Sequence, residues 1–226
     1  MAVTLSIYQF ALGEDFRRLQ PELQHYFSFH QHSGAHATCR GTFDVAGSPS
    51  KIMRPVFAVA AREHTFFPEY EGNVQFRVRN WAHTDPFGRP SLTARRDFHF
   101  AAAHRIFEDT TSWTDDGLVD YLGIHRRMAT ALTCQVTANG RMRMVSWNTR
   151  VFAGPLRLPI PEFIGAKAYV EQWWDSAENC FRISSNVLHR QLGPVLVYAG
   201  RFTYETSPYN GDLPAEEAPA RWERRV

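Results

Sequence analysis

Lysine is almost missing from this chain. Lys and Arg together number 25, and only Lys51 and Lys167 are lysine, so a Schiff-base mechanism has two candidates, neither in an evident apolar pocket. Cysteine is equally scarce. Cys39, Cys134 and Cys180 are odd in number, far apart and never paired as C-x-x-C, which argues against a disulfide framework and against a thiolate zinc site. No Gly-rich phosphate loop, G-x-S-x-G elbow or H-E-x-x-H helix is present, so the usual signatures of nucleotide, acyl-transfer and zincin chemistry are missing. No apolar run approaches the roughly 20 residues that span a bilayer. The opening "MAVTLSIYQFALGEDF" reaches acid at Glu14 without a basic n-region or a small-residue cleavage site, and a soluble cytoplasmic protein with no membrane span is the expectation. The formal net charge is only +2 and the arginines are scattered, which disfavours a nucleic-acid partner.

What is present is ordinary globular material: 226 residues, 44% hydrophobic and 21% charged, enough for one domain with a substantial core. Apolar positions at Ile7, Phe10 and Ala11, then Phe16, Leu19, Leu23, Tyr26 and Phe27, repeat at three and four. They predict two short helices joined near Gly13, with Pro21 opening or kinking the second. From His36 to Glu205 the period becomes two. Strands are expected at 36–45, 55–62, 73–82, 92–101, 104–113, 125–137, 141–152, 168–175, 179–190 and 195–204. Short connections at Ala138-Asn139-Gly140 and Ser176-Ala177-Glu178 make their flanking strands antiparallel. Three prolines between Gly154 and Gly165 suit a crossing loop, with one helical turn at Glu162 to Ile164. The fold class is therefore mainly β: about ten antiparallel strands forming a lipocalin-like barrel or strongly curved sheet, with two short N-terminal helices. Residues 1–205 form the single domain, and 206–226, rich in Pro, Ala and charge, form an exposed tail unless Trp222 docks.

Four of the ten histidines, His25, His30, His32 and His36, fall within "HYFSFHQHSGAH". Imidazoles at this density suggest a metal site. Their settings differ, however: a helix end, a Phe-His step, a turn and a strand start, with no nearby carboxylate or cysteine. They read as the joint between helical lid and barrel, and no metal or cofactor is assigned.

Several stretches resemble a known family. "YQFALGEDFRRLQPELQ", then Phe29-His30, the A-x-x-x-G-x-F-x-V strand from Ala37 to Val45, "RRDFHF", "YLGIHRRMATALTCQVTANGRMRMVSW", "GPLRLPIP" and "LGPVLVYAGRF" follow one another in the order seen in the bacterial domain of unknown function 4166. Members of that family stand alone or at the C-terminus of saccharopine-dehydrogenase-like proteins. The resemblance implies a fold rather than a chemistry, since the family has no established activity. Where members often have Trp-x-Arg-x-Phe, this chain has Ala94, Arg96 and Phe98, which implies a missing aromatic wall and a larger pocket.

Strand parity supplies the candidate chemistry. Arg95, Asp97 and His99 share one face, with Arg96, Phe98 and Phe100 on the other; His104, Ile106, Glu108 and Thr110 oppose Arg105, Phe107, Asp109 and Trp113. A short turn at Ala102 and Ala103 brings His99 to His104 and Asp97 towards Ile106 or Glu108. If that face is inside, Asp97, His99 and Glu108 offer an acid/base pair; if outside, they form a surface stripe of paired charge. Glu171, between Tyr169 and Trp173, is the fourth catalytic candidate. Arg96, Trp113, Trp147, Trp173, Phe181, Tyr198 and Phe202 are the candidate ligand contacts, with core packing as the alternative role of the aromatics. Arg77 and Arg79, beside Gln75 and Trp81, would recognise an anion only if inward-facing.

These residues fit a barrel that binds a hydrophobic small molecule, as a cofactor-independent cyclase or isomerase of a secondary metabolite. The alternative is a non-catalytic carrier or sensor of lipid-like molecules, or an accessory domain of a reductase. A homodimer is compatible with either.

Overall fold

The computed structural model describes residues 4–226. It opens with helix α1 (Ile7–Leu12), a 3-10 segment (Gly13–Arg18) and helix α2 (Pro21–Phe27). Ser6 and Gln9 close α1 with a reciprocal capping box, the Gln9 N–H donating to Ser6 Oγ at 3.1 Å and the Ser6 N–H to Gln9 Oε1 at 2.8 Å. Pro21 stands at the start of α2, where its missing N–H costs nothing. Leu23 and Phe27 point into the core. Gln20 then ties the helical pair to the barrel rim: its amide donates to the Trp174 carbonyl at 3.1 Å and accepts from the Trp174 N–H at 2.8 Å.

Eleven strands follow: β1 (Ala35–Gly47), β2 (Tyr70–Thr84), β3 (Pro90–His99), β4 (His104–Thr114), β5 (Gly117–Leu122), β6 (Met128–Val136), β7 (Met142–Ala153), β8 (Leu156–Pro159), β9 (Ala166–Asp175), β10 (Cys180–His189) and β11 (Gly193–Pro208). They pair antiparallel in the order β6-β5-β4-β3-β2-β1-β11-β10-β9-β7-β8, and the β6–β7 pairing closes ten of them into a barrel with β8 flanking β7. Closure removes the open edges that an extended sheet of this width would expose.

Two glycines allow the wall to bend at its β1–β11 seam. A Cβ on Gly41 would lie 2.1 Å from the Arg201 carbonyl oxygen, and one on Gly200 would lie 2.2 Å from that of Thr42. The strands approach too closely there for any side chain. A bulge between Phe43 and Val45 sits at the same seam. Inside it, Phe43 stacks on Phe76 with ring centroids 3.8 Å apart and on Phe98 at 5.3 Å.

One end of the barrel is closed by α1 and α2. At the other, helix α3 (Arg54–Ala60) and a 3-10 turn (Ala61–Glu63) lie between β1 and β2. This corrects the strand expected at 55–62. "PVFAVAAR" is a short apolar run that period alone cannot assign; Met53, Phe57 and Ala60 recur at helical spacing, and Pro55 falls in the first helical turn. Strand β5 was not expected because its alternation is hidden. Leu118, Val119, Tyr121 and Leu122 are all buried, which means both of its faces are covered.

The outer cover is the C-terminal tail. Instead of being exposed, residues after Pro208 pack along β2 to β5: Trp222 meets His83 edge-on at 5.6 Å, the Ala220 N–H donates to the Ile124 carbonyl at 2.8 Å, and Val226 packs against the Val119, Tyr121, Ala129 and Phe152 cluster. Glu217 and Glu223 are buried and paired to Arg79 and Arg225 respectively.

Candidate functional site

The barrel is hollow. A cavity of about 610 Å³ runs between the α1–α2 plug and α3, and its wall is mostly apolar: Val78, Leu92, Leu132, Met144, Val170 and Ile183 are representative. This volume is in the range of small-molecule sites.

A polar group interrupts the wall on β3, β4 and β5. Arg96 donates to Asp109 at 2.5 Å, and Asp120 accepts from Thr111 Oγ1 at 3.0 Å; all four residues line the cavity. Two carboxyls thus lie in the field of one guanidinium in a mostly apolar space. Burial first, then repulsion from Asp109, pushes the Asp120 carboxyl up to about 8, with Arg96 opposing too weakly to restore it. Burial also raises Asp109, against the direct pull of Arg96. The arrangement balances when Asp109 is the anion paired to Arg96 and Asp120 keeps its proton near neutrality. Asp120 is then a hydrogen-bond donor facing an apolar space. Tyr8, from α1, lines the same cavity, and its phenol is pushed up chiefly by burial. Across the barrel, the Gln172 amide oxygen is buried without a hydrogen-bond partner among the described residues.

A second interior group joins α2 to β1 and β2. Asn80 Nδ2 donates to the Tyr26 hydroxyl at 3.0 Å, and that hydroxyl lies 3.3 Å from Cys39 Sγ. Burial pushes the Cys39 thiol up to about 12, so it is no thiolate nucleophile at neutral pH.

None of the four acid/base candidates from the sequence lines the cavity, because their shared face is the outer one. Asp97 lies among Arg77 at 3.6 Å, Arg79 at 3.4 Å and His104 at 3.2 Å. His99 does pair with His104 across the β3–β4 hairpin, their rings stacked at 4.9 Å, but both are exposed. Glu108 accepts from His64 at 2.9 Å and from Arg126 at 3.3 Å, and Arg126 is itself only 1% exposed beneath the outer cover. Burial alone would raise Glu108; the His64 hydrogen bond, with Arg126 and Arg95, outweighs it and holds the carboxyl below its usual range. Glu171 stands outside with Arg141 and Arg143, each 2.9 Å away, and their hydrogen bonds outweigh partial burial to lower it too. These are structural ion pairs.

The ligand candidates divide. Arg96, Tyr198 and Phe202 line the cavity. Phe181 is buried inside the barrel but packs among Tyr26, Trp174 and Phe202 as core. Trp113 stacks on Phe10 of α1 at 5.6 Å; Trp147 is exposed, and Trp173 lies outside under the Arg141 guanidinium at 4.6 Å. Arg77 and Arg79 face outward with Asp97. The opening histidines are dispersed: His25 bonds the Tyr204 hydroxyl, the His32 N–H donates to His30 Nδ1 at 3.2 Å, and His36 stacks on Trp81 at 3.7 Å.

Asp109 and Asp120 were missed as site residues. A signal for Asp109 was available: once Arg96 is placed inside, its register partner Phe107 is inside, and Asp109 follows by parity. Asp120 belongs to β5 and had no strand to place it.

The sequence profile described as Domain of unknown function (DUF4166) matches residues 19–202. The chain belongs to that family. It is also 23% identical over 203 residues to "Uncharacterized protein YndH" of Bacillus subtilis (strain 168), covering 88% of this chain and 97% of that protein. The DUF4166 match contains Arg96, Asp109 and Asp120; Tyr8 and the whole docked tail lie outside it.

Proposed function

We propose that this DUF4166 protein binds one predominantly apolar small molecule that carries a neutral carbonyl or hydroxyl. The observation that carries the reading is the cavity of about 610 Å³ with the charge-balanced Arg96–Asp109–Asp120 group set in a mostly apolar wall. Apolar surface supplies the affinity, and the protonated Asp120 and the unpartnered Gln172 oxygen orient the polar end. A free anion is disfavoured beside Asp120, since Arg96 is already paired to Asp109, and Arg127 of the lining, unpaired among the described residues, belongs to the mouth. Titration with a neutral naphthylamine dye tests this: saturable one-to-one fluorescence enhancement is expected, weakened about tenfold when Ala94→Trp fills the wall. Undiminished binding by a folded Ala94→Trp protein, or none by the wild type, overturns it.

Catalysis is a second reading, favoured by one feature: a carboxyl pushed up to about 8 holds a proton at neutral pH and still releases it within reach of physiological conditions. Asp120 would protonate a ligand carbonyl oxygen while the Asp109 carboxylate takes a proton from the adjacent carbon, and return of a proton to carbon from either carboxyl completes the exchange that a cofactor-independent isomerase requires. A carrier needs the cavity alone. Ligand released from the purified protein, identified by mass spectrometry and incubated with fresh protein in heavy water, separates the two. Deuterium gained with the wild type and lost with Asp120→Asn supports catalysis; no gain supports the carrier.

A further inference from the structure

Helix α3 is apolar on both sides although it lies at the surface. Met53, Phe57 and Ala60 face the cavity, while Val56 and Val59, continuing the line of Ile52 from the preceding turn, are 58%, 64% and 73% exposed. A helix apolar all round is normally buried. Across the same opening, in the loop between β8 and β9, Phe163 and Ile164 are 58% and 59% exposed. Val56 and Ile164 line the cavity as well, so this patch is the rim of its mouth. At the opposite end the lining residues Tyr8, Tyr26, Phe27 and Phe29 are all buried or half-buried. Cations surround the rim: Lys51, Arg62, Arg127, Arg157 and Arg190 are exposed and carry no ion pair among the described residues. Of the acids at this end, Glu63 lies 2.7 Å from His125, Glu69 pairs with Arg105 at 2.6 Å, Glu162 with Lys167 at 3.1 Å, and Glu71 accepts from the Ala101 N–H at 2.9 Å.

From this pattern we infer that the α3 end docks peripherally on an anionic lipid bilayer, the valines, Phe163 and Ile164 entering the headgroup–acyl boundary and the unpaired cations meeting lipid phosphates. Apolar contact and surface charge act together in such binding, and neither alone holds a protein firmly. The cavity mouth then faces the membrane. Joined to the cavity reading above, on which this clause alone rests, the ligand is an amphiphile or apolar metabolite drawn from the bilayer without crossing water.

Vesicle co-sedimentation tests the docking. Binding to phosphatidylcholine vesicles containing about 30% phosphatidylglycerol should exceed binding to phosphatidylcholine alone by about tenfold and fall as salt is raised. Val59→Asp should lower it by about fivefold with the melting temperature unchanged, because that side chain is exposed and does not line the cavity. Arg62→Glu with Arg127→Glu should abolish the preference for the anionic lipid. Failure of the wild type to bind anionic vesicles overturns the inference, as does full binding by the valine variant. So does a dimer that the valine variant dissociates in the absence of vesicle binding, which assigns the face to a second copy of the chain. The cavity reading is scored separately: Ala94→Trp should lose dye and keep vesicles, and the valine variant should lose vesicles and keep dye.

Discussion

Glu108 and Asp109 are neighbours on β4, and the barrel wall passes between them. Glu108 looks outward into a covered layer where His64, Arg95 and Arg126 supply more positive partners than it can use; it is held below its ordinary range. Asp109 looks inward, where it and Asp120 lie in the field of Arg96 in a mostly apolar space; both are raised. Both carboxylates belong to the same strand and are almost equally buried. Exposure alone therefore does not determine how a carboxyl behaves: desolvation prevails at Asp109, whereas at Glu108 the His64 hydrogen bond, with Arg126 and Arg95, outweighs it. The outer layer spends its charge on holding the tail and the α3 turn in place, whereas the inner group leaves a proton available.

The harshest way to break this contrast is Arg96→Met. It strands Asp109 beside Asp120 without a cation, and the expected loss is about 3–5 kcal/mol at neutral pH, as for other buried pairs that lose one partner. Chemical denaturation at neutral and acid pH should show the loss shrinking as the carboxyls protonate, and Arg96→Met with Asp109→Leu should recover most of it.

Opposite pH slopes sharpen the contrast. Asp120 titrates near 8 in the fold and near 3.8 when exposed, so it binds its proton more tightly folded; its contribution is complete below about 4 and is lost as pH rises towards 8. Asp120→Asn should remove that slope and melt higher than the wild type at pH 9 by at least about 4 °C, each kcal/mol moving a domain of this size by about 2–4 °C. Below about pH 4 the two should nearly coincide. Glu108 has the reverse sign: lowered in the fold, it stabilises above its ordinary value of 4.5, and this is lost as pH falls through the folded value. Glu108→Gln should therefore cost about 1–3 kcal/mol at pH 7, leaving Arg126 short of its anion, with a smaller cost in acid. Parallel slopes in the two variants would erase the distinction between the faces.

The smallest effect belongs to Glu171, paired to two arginines in reach of solvent. Glu171→Gln should change stability by no more than about 1 kcal/mol and leave dye binding unaltered, as checked by melting and titration. A loss of dye binding would place Glu171 in the site after all.

Much of this architecture was legible before any coordinates. The three-and-four spacing of apolar residues from Ile7 to Phe27, Pro21 at a helix start, the long alternating strands and the family resemblance led to a barrel with helices at its N-terminus. The parities on β3, β4 and β9 were also read correctly, including the opposition of Arg96 to Asp97 and of Glu108 to Asp109. Less legible were the short elements. "PVFAVAAR" has no period long enough to separate helix from strand, and β5 loses its alternation because the tail buries its outer face.

The sequence by itself determined which side chains travel together, because the pleat sends alternate residues to opposite faces whatever the fold becomes. Which of those faces is the inside was decided only by tertiary structure. Closure through β6 and β7 turned Arg96, Asp109 and Asp120 towards one another, and docking of residues 209–226 buried the opposite stripe so that Asp97 and Glu108 look, by burial alone, as interior as the true lining. Alternation along a strand is local; curvature and cover come from contacts between residues more than a hundred positions apart, such as Arg79 with Glu217 and Arg89 with Glu223.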